Sequence, residues 1–62
     1  MNLYDVVELA VDLPDEGLRA GAVGTIVDDY AGSGEFEVEF TDDAGRTLAL
    51  TALRADQLRA RG

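Results

Sequence analysis

Three features of this 62-residue chain point to an all-β fold, a small and strongly bent barrel of four to five strands ending in a helical turn. Glu35-Phe36-Glu37-Val38-Glu39-Phe40 alternates strictly between charged and apolar residues, the period of a half-buried strand. Val, Leu and Ile recur elsewhere in groups of strand length. Short turn sequences, Ala31-Gly32-Ser33-Gly34 and Asp42-Asp43-Ala44-Gly45, separate those groups.

Tyr4 to Val11 reads as the first strand, rich in β-branched residues and interrupted by Asp5 and Glu8. Pro14 ends it, because proline cannot donate a ladder hydrogen bond. Leu13 to Leu18 then forms an ordered crossover loop, with both leucines available to the core. Gly21-Ala22-Val23-Gly24-Thr25-Ile26-Val27 opens the second strand. Its two glycines are too few for a phosphate-binding fingerprint, which needs three between a strand and a helix. They suit a sharply bent strand. The inner face of this strand is either Val23 and Val27 or Ile26 and Tyr30.

In the third strand Phe36, Val38 and Phe40 face the core, and Glu35, Glu37 and Glu39 face water. A three-residue hairpin loop, Asp43-Ala44-Gly45, with Gly in the left-handed region sets Asp42 opposite Arg46. Counting outward opposes Phe40 to Leu48, Val38 to Leu50 and Phe36 to Ala52, with Glu39 against Ala49 and Glu37 against Thr51. Leu53 to Arg59 closes the chain as a helical turn whose leucines, Leu53 and Leu58, seal one end of the barrel. Residues Arg59 to Gly62 are expected to fray. No linker or internal repeat is visible, so residues 1–62 form one domain. A meander of this size is an SH3-like barrel; an OB-fold needs longer strands.

Composition narrows the function. The apolar fraction of 47% argues against disorder, although a chain this short buries only ~60% of its unfolded surface. With neither Cys nor His there is no disulfide and no zinc site, and with no Lys either the usual bases and nucleophiles are missing. Ser33, the single serine, sits between two glycines with no base beside it. Paired carboxylates are the only catalytic option left, and a barrel of this size offers little cleft for them. Asp28-Asp29 and Asp42-Asp43 lack the spacing of a calcium loop. No cofactor and no enzymatic activity are expected.

Thirteen acidic residues against five arginines give a net charge of −8. That balance repels phosphate backbones and anionic membranes and attracts basic proteins. No run approaches the ~18 apolar residues of a membrane span, no signal peptide is evident, and the missing Cys fits a cytoplasmic location. The negative charge has a place: Glu35, Glu37 and Glu39 form a ridge that Asp28 and Asp29 on the preceding strand extend. Neighbours two apart on one strand face repel by only ~0.6 kcal/mol in water. The ridge is therefore tolerable as a plain solvated face and also usable to dock a basic patch. A docked basic protein is the leading expectation, with this chain as inhibitor, antitoxin or accessory subunit. A nucleic-acid-binding barrel is the alternative, resting on Gly21 to Val27 and on Arg54, Arg59 and Arg61. A homodimer would also bury exposed apolar side chains.

Leu3-Tyr4-Asp5-Val6-Val7, Asp12-Leu13-Pro14-Asp15-Glu16-Gly17-Leu18, Gly21-x-x-Gly24-Thr25-Ile26-Val27 and Glu37-Val38-Glu39-Phe40 together resemble the bacterial domain-of-unknown-function family DUF4926. The likeness runs on to Ala49-Leu50 and Asp56-Gln57-Leu58. More distantly, Gly21 to Val27 followed by Val38-Glu39-Phe40 is similar to the SH3-like barrels of nitrile hydratase β subunits, photosystem accessory subunits and KOW segments. That similarity implies a barrel docked on a larger protein, or on RNA through basic loops that this chain lacks.

Overall fold

A computed structural model describes residues 1–61. Alternating apolar residues and glycine-bearing turns produce five antiparallel strands: β1 (Val6–Leu9), β2 (Val23–Tyr30), β3 (Glu35–Thr41), β4 (Thr47–Arg54) and β5 (Leu58–Ala60). They form one sheet in the order β4-β3-β2-β1-β5. Short 3-10 turns at Pro14–Glu16 and Ala55–Gln57 are the only helical pieces among the described residues. The last strand therefore returns past a 3-10 turn to pair with the first, within the all-β class expected from the sequence. The sheet stays open, because no ladder joins β4 to β5. The Cα radius of gyration, 10.5 Å, matches the ~10.6 Å of a compact chain of this length.

The core consists of Val7, Leu9, Leu18, Ile26, Phe36, Val38, Phe40, Ala49, Leu53 and Leu58. Gly24 is required by close packing. A Cβ there would lie 2.7 Å from Val38 Cγ1 and 2.9 Å from Phe40 Cδ1. The crossover loop is ordered as expected: Leu13 and Leu18 exchange backbone hydrogen bonds of 2.9 and 3.1 Å, and Gly17 at φ 69° ends the turn. Leu18 is buried and Leu13 packs against the core.

The β3–β4 turn also forms as read. The Asp42 N–H donates to Arg46 O and the Gly45 N–H to Asp42 O, both at 2.9 Å, with Gly45 at φ 81°. The Asp42 Oδ1 accepts from the Ala44 and Arg46 N–H groups, each 2.9 Å away.

Beyond that turn the register differs from expectation. Thr41 faces Thr47, but Leu48 is an extra residue, so Phe40 meets Ala49, Glu39 meets Leu50, Val38 meets Thr51, Glu37 meets Ala52 and Phe36 meets Leu53. The expected pairs Phe40–Leu48, Val38–Leu50, Phe36–Ala52, Glu39–Ala49 and Glu37–Thr51 are each displaced by one residue. Volume explains the shift. Small Ala49 lies across from fully buried Phe40, and buried Leu53 and Leu58 flank the 3-10 turn Ala55–Gln57. A β-bulge of this kind re-aims side chains, and it turns Leu48 and Leu50 out to water.

Three further expectations are corrected. The first strand is shorter than Tyr4–Val11, because Tyr4 takes a left-handed conformation at φ 67°. On β2 neither proposed inner pair is used whole: Gly24 and Ile26 face in, Val27 is the extra residue of a second bulge, and Tyr30 faces out opposite Glu35. The C-terminal segment is a brief 3-10 turn followed by a strand, and Arg59, Ala60 and Arg61 do not fray. Glu8 pairs with Arg59 and Val7 with Ala60, and the Arg61 N–H donates to Val6 O at 3.4 Å. The same expectation for Gly62 lies outside the described residues.

Candidate functional site

β3 runs through the middle of the sheet half formed by β2, β3 and β4, and its pleat decides where the glutamates go. Phe36, Val38 and Phe40 point into the core, so Glu35, Glu37 and Glu39 stand on the outer face. Residues opposite one another in a ladder share a face, which orders that surface into rows. Leu50, Glu39, Thr25 and Val6 form one row; Ala52, Glu37 and Asp28 form the next; Arg54, Glu35 and Tyr30 form the third.

Four of the five expected site residues thus share one face: Asp28, Glu35, Glu37 and Glu39. Asp29 is separated from them. It lies opposite Phe36 in the ladder, on the other side of the sheet, and it is exposed there. Adjacent strand residues point to opposite faces, so one of the two aspartates must leave the ridge, and the Val27 bulge makes it Asp29.

The ridge has two hydroxyl partners that sequence reading did not assign. The Tyr30 O–H donates to Glu37 Oε2. Thr47 Oγ1 donates to Glu39 Oε2 at 2.7 Å. The Glu37 carboxylate, first by accepting that hydrogen bond and then by its charge, holds the Tyr30 hydroxyl above its ordinary value together with partial desolvation and the charges of Asp28 and Glu35. Tyr30 therefore remains a neutral donor through the physiological range. Only the register could have placed Tyr30 and Thr47 beside these acids, and the bulges concealed it.

Four of the five arginines pair with other acids. Arg46 pairs with Asp42 at 2.8 Å and Arg54 with Asp56 at 3.1 Å. Arg59 and Arg61 both reach Glu8, at 3.4 and 3.6 Å. Among the described residues no arginine pairs with Asp28, Asp29, Glu35, Glu37 or Glu39. The ridge carboxylates thus form no ion pair among the described residues, although Arg54 stands opposite Glu35, and apolar Leu48 and Leu50 border them on β4, each 58% exposed.

Ser33 has a structural task. Its Oγ donates to Tyr30 O at 2.6 Å and accepts from the Glu35 N–H at 3.1 Å, which fixes the β2–β3 turn. A shallow depression of about 360 Å³ lies at the crossover loop between Asp12, Pro14, Gly17, Leu18 and Arg19, apart from the ridge. Among the described residues no group of three or more carboxylates is placed to hold a metal ion. None of the described helices is long and apolar enough to cross a membrane.

No curated protein and no solved structure matches this chain. A family match covers residues 3–60, nearly every strand and turn just described. The chain belongs to the family described as Domain of unknown function (DUF4926).

Proposed function

We propose that this protein is a non-enzymatic acidic binding module of the bacterial cytoplasm that docks a basic partner protein through the outer face of β3. Inhibitor, antitoxin and accessory subunit are the roles such a module fills. The observation that carries the reading is the distribution of charge. Four of the five arginines are engaged by Asp42, Asp56 and Glu8, while Asp28, Glu35, Glu37 and Glu39 share a face on which Arg54, opposite Glu35, pairs with Asp56 instead. A row of unneutralised carboxylates beside exposed leucines suits a basic surface with apolar content, and such fields set association rate and partner choice. Nucleic acid is a poorer occupant, because Arg54, Arg59 and Arg61 already carry ion pairs and the ridge repels phosphate.

The test separates place from total charge. Glu37→Gln with Glu39→Gln removes two charges from the ridge, and Asp15→Asn with Glu16→Gln removes two from the crossover loop. Basic proteins retained from a bacterial lysate at low salt should be lost with the ridge variant and kept with the loop variant. Equal retention by both would remove the ridge from the mechanism. A mobility shift of generic RNA at low salt would overturn the reading in favour of nucleic acid.

A further inference from the structure

Among the described residues no strand pairs with the outer edge of β4. β4 pairs with β3 on one side only and is the terminal strand of the order. Thr47 to Leu53 (Thr-Leu-Ala-Leu-Thr-Ala-Leu) carries no charge and no proline. Long, uncharged edges of this kind are the template for strand addition, and proteins ordinarily blunt them with Lys, Pro, inward charges or covering loops. Here the Leu48 bulge disrupts pairing at the hairpin end and charged Arg54 ends the strand, which leaves Ala49 to Leu53 regular and uncharged between them.

We infer that the β4 edge accepts an extended segment of the basic partner as a sixth strand, with an apolar side chain beside Leu50 and an Arg or Lys beside Ala52. The inference rests on the ridge reading above and supplies the partner's form. Its support is the row order. Going inward from the edge, one row runs Leu50 then Glu39, and the next runs Ala52 then Glu37. Adjacent strands lie ~4.8 Å apart, so a long basic side chain on an added strand crosses β4 and reaches β3 wherever the β4 residue is small. Ala52 is that gap. Glu37 stands behind it with Oε2 taken by Tyr30 and no cation bound. Leu50 blocks the neighbouring row and presents apolar surface instead. Backbone pairing then gives affinity, and the alternation of apolar and basic positions gives selectivity. A second copy of this chain fits less well, since its own Arg46 and Arg54 are held by Asp42 and Asp56 and bring no cation to Glu37.

The experiment uses a short capped peptide that alternates Thr on one face with Val and Arg on the other, titrated into the ¹⁵N-labelled full chain at low salt. Amide shifts should concentrate on β4. Methylating alternate peptide nitrogens should abolish binding. Ala52→Arg, an exposed substitution that fills the gap, should weaken binding roughly tenfold, the loss of one charge-assisted contact, while its amide spectrum stays dispersed. Equal binding of the methylated peptide would overturn strand addition. Shifts spread over β2 and β3 and sensitive to Glu37→Gln with Glu39→Gln would also overturn it, yet leave the ridge reading standing. Binding at β4 that ignores those two substitutions would instead remove the ridge reading, and with it the basic character of the segment. A dimer in sedimentation that Leu50→Lys dissolves would show that a second copy fills the edge, which overturns the inference.

Discussion

The two edges of the sheet differ in nearly everything that governs strand pairing. β5 is three residues long, and its Arg59 and the following Arg61 fold back on Glu8 of β1. β4 is eight residues long, uncharged from Thr47 to Leu53, and exposes Leu48 and Leu50. One edge is short and occupied by ion pairs; the other is long and bare. In a chain with five cations, their placement is selective. Arg46, Arg59 and Arg61 are held at the hairpin turn and the β5 edge, and Arg54, at the end of β4 opposite Glu35, is turned to Asp56, so Asp28, Glu37 and Glu39 are left without an ion pair.

The comparison depends on the β4 register, and the largest predicted effect tests it. Leu53 is buried across from Phe36, whereas Leu50 points to water. Leu53→Ala should cost about 2–5 kcal/mol, which rivals the total stability of ~3–9 kcal/mol for a domain of this length. Leu50→Ala should change stability by no more than about 0.5 kcal/mol. Urea unfolding of the two variants measures both. The reverse ranking would restore the Val38–Leu50 register and bury the edge leucines.

Much of this structure was legible in the sequence. The alternation of Glu35 to Phe40 fixed which side of β3 is core, and Asp42 to Arg46 fixed the hairpin turn. What stayed hidden were two extra residues, Val27 and Leu48. A bulge leaves no mark on the apolar period of its own strand, since Leu48, Leu50 and Ala52 are as apolar as Ala49 and Leu53. It becomes visible only when volumes are matched across the ladder. The same two residues decide the candidate site. Leu48 turns Leu50 outward beside Glu39, and Val27 decides that Asp28, not Asp29, joins Glu37. The short β5 was equally hidden, because three residues that pair with a distant strand carry no local signal.

The half of the sheet nearer β5 meets the other half at Gly24, and here the next effect is expected. Gly24→Ala places a methyl 2.7 Å from Val38 Cγ1 and 2.9 Å from two Phe40 ring carbons, and both side chains are fully buried. Overpacking of that kind costs about 1–3 kcal/mol. An unchanged Tm would mean that β2 and β3 can separate there, and the inner and outer faces of β3 would lose their fixed assignment.

A smaller effect belongs to the hairpin that leads into β4. The Arg46 backbone N–H holds the Asp42 carboxyl below its ordinary value against an opposing desolvation, helped by the Arg46 guanidinium and the Ala44 N–H. A depressed pKa stabilises the fold at pH values above the unfolded pKa, and that contribution disappears as pH falls through the folded one. Wild type should therefore melt a few degrees above Asp42→Ala at neutral pH, and the gap should narrow as pH falls below the ordinary Asp value of ~3.9 and through the lower folded one. Thermal melts followed by far-UV circular dichroism report it. A gap that persists in acid would assign the turn's stability to Gly45 and the backbone instead.

The smallest effect concerns the β5 edge itself. Glu8 is partly shielded, but both arginines that reach it are more than half exposed. Exposed ion pairs contribute only ~0–1 kcal/mol each and weaken as salt rises, so Glu8→Gln should lower stability by less than about 1 kcal/mol. The loss should shrink further in 1 M salt, where the screening length falls to ~3 Å. The consequence for the edge is separable from stability. Without Glu8, Arg59 and Arg61 are released beside a short strand, and two free cations still repel a basic segment from that end. Amide exchange should quicken at Leu58, Arg59 and Ala60 while the β4 amides keep their rates. If β4 exchange quickened equally, the two edges would be parts of one cooperative unit, and the bare edge could not act as an independent docking strand.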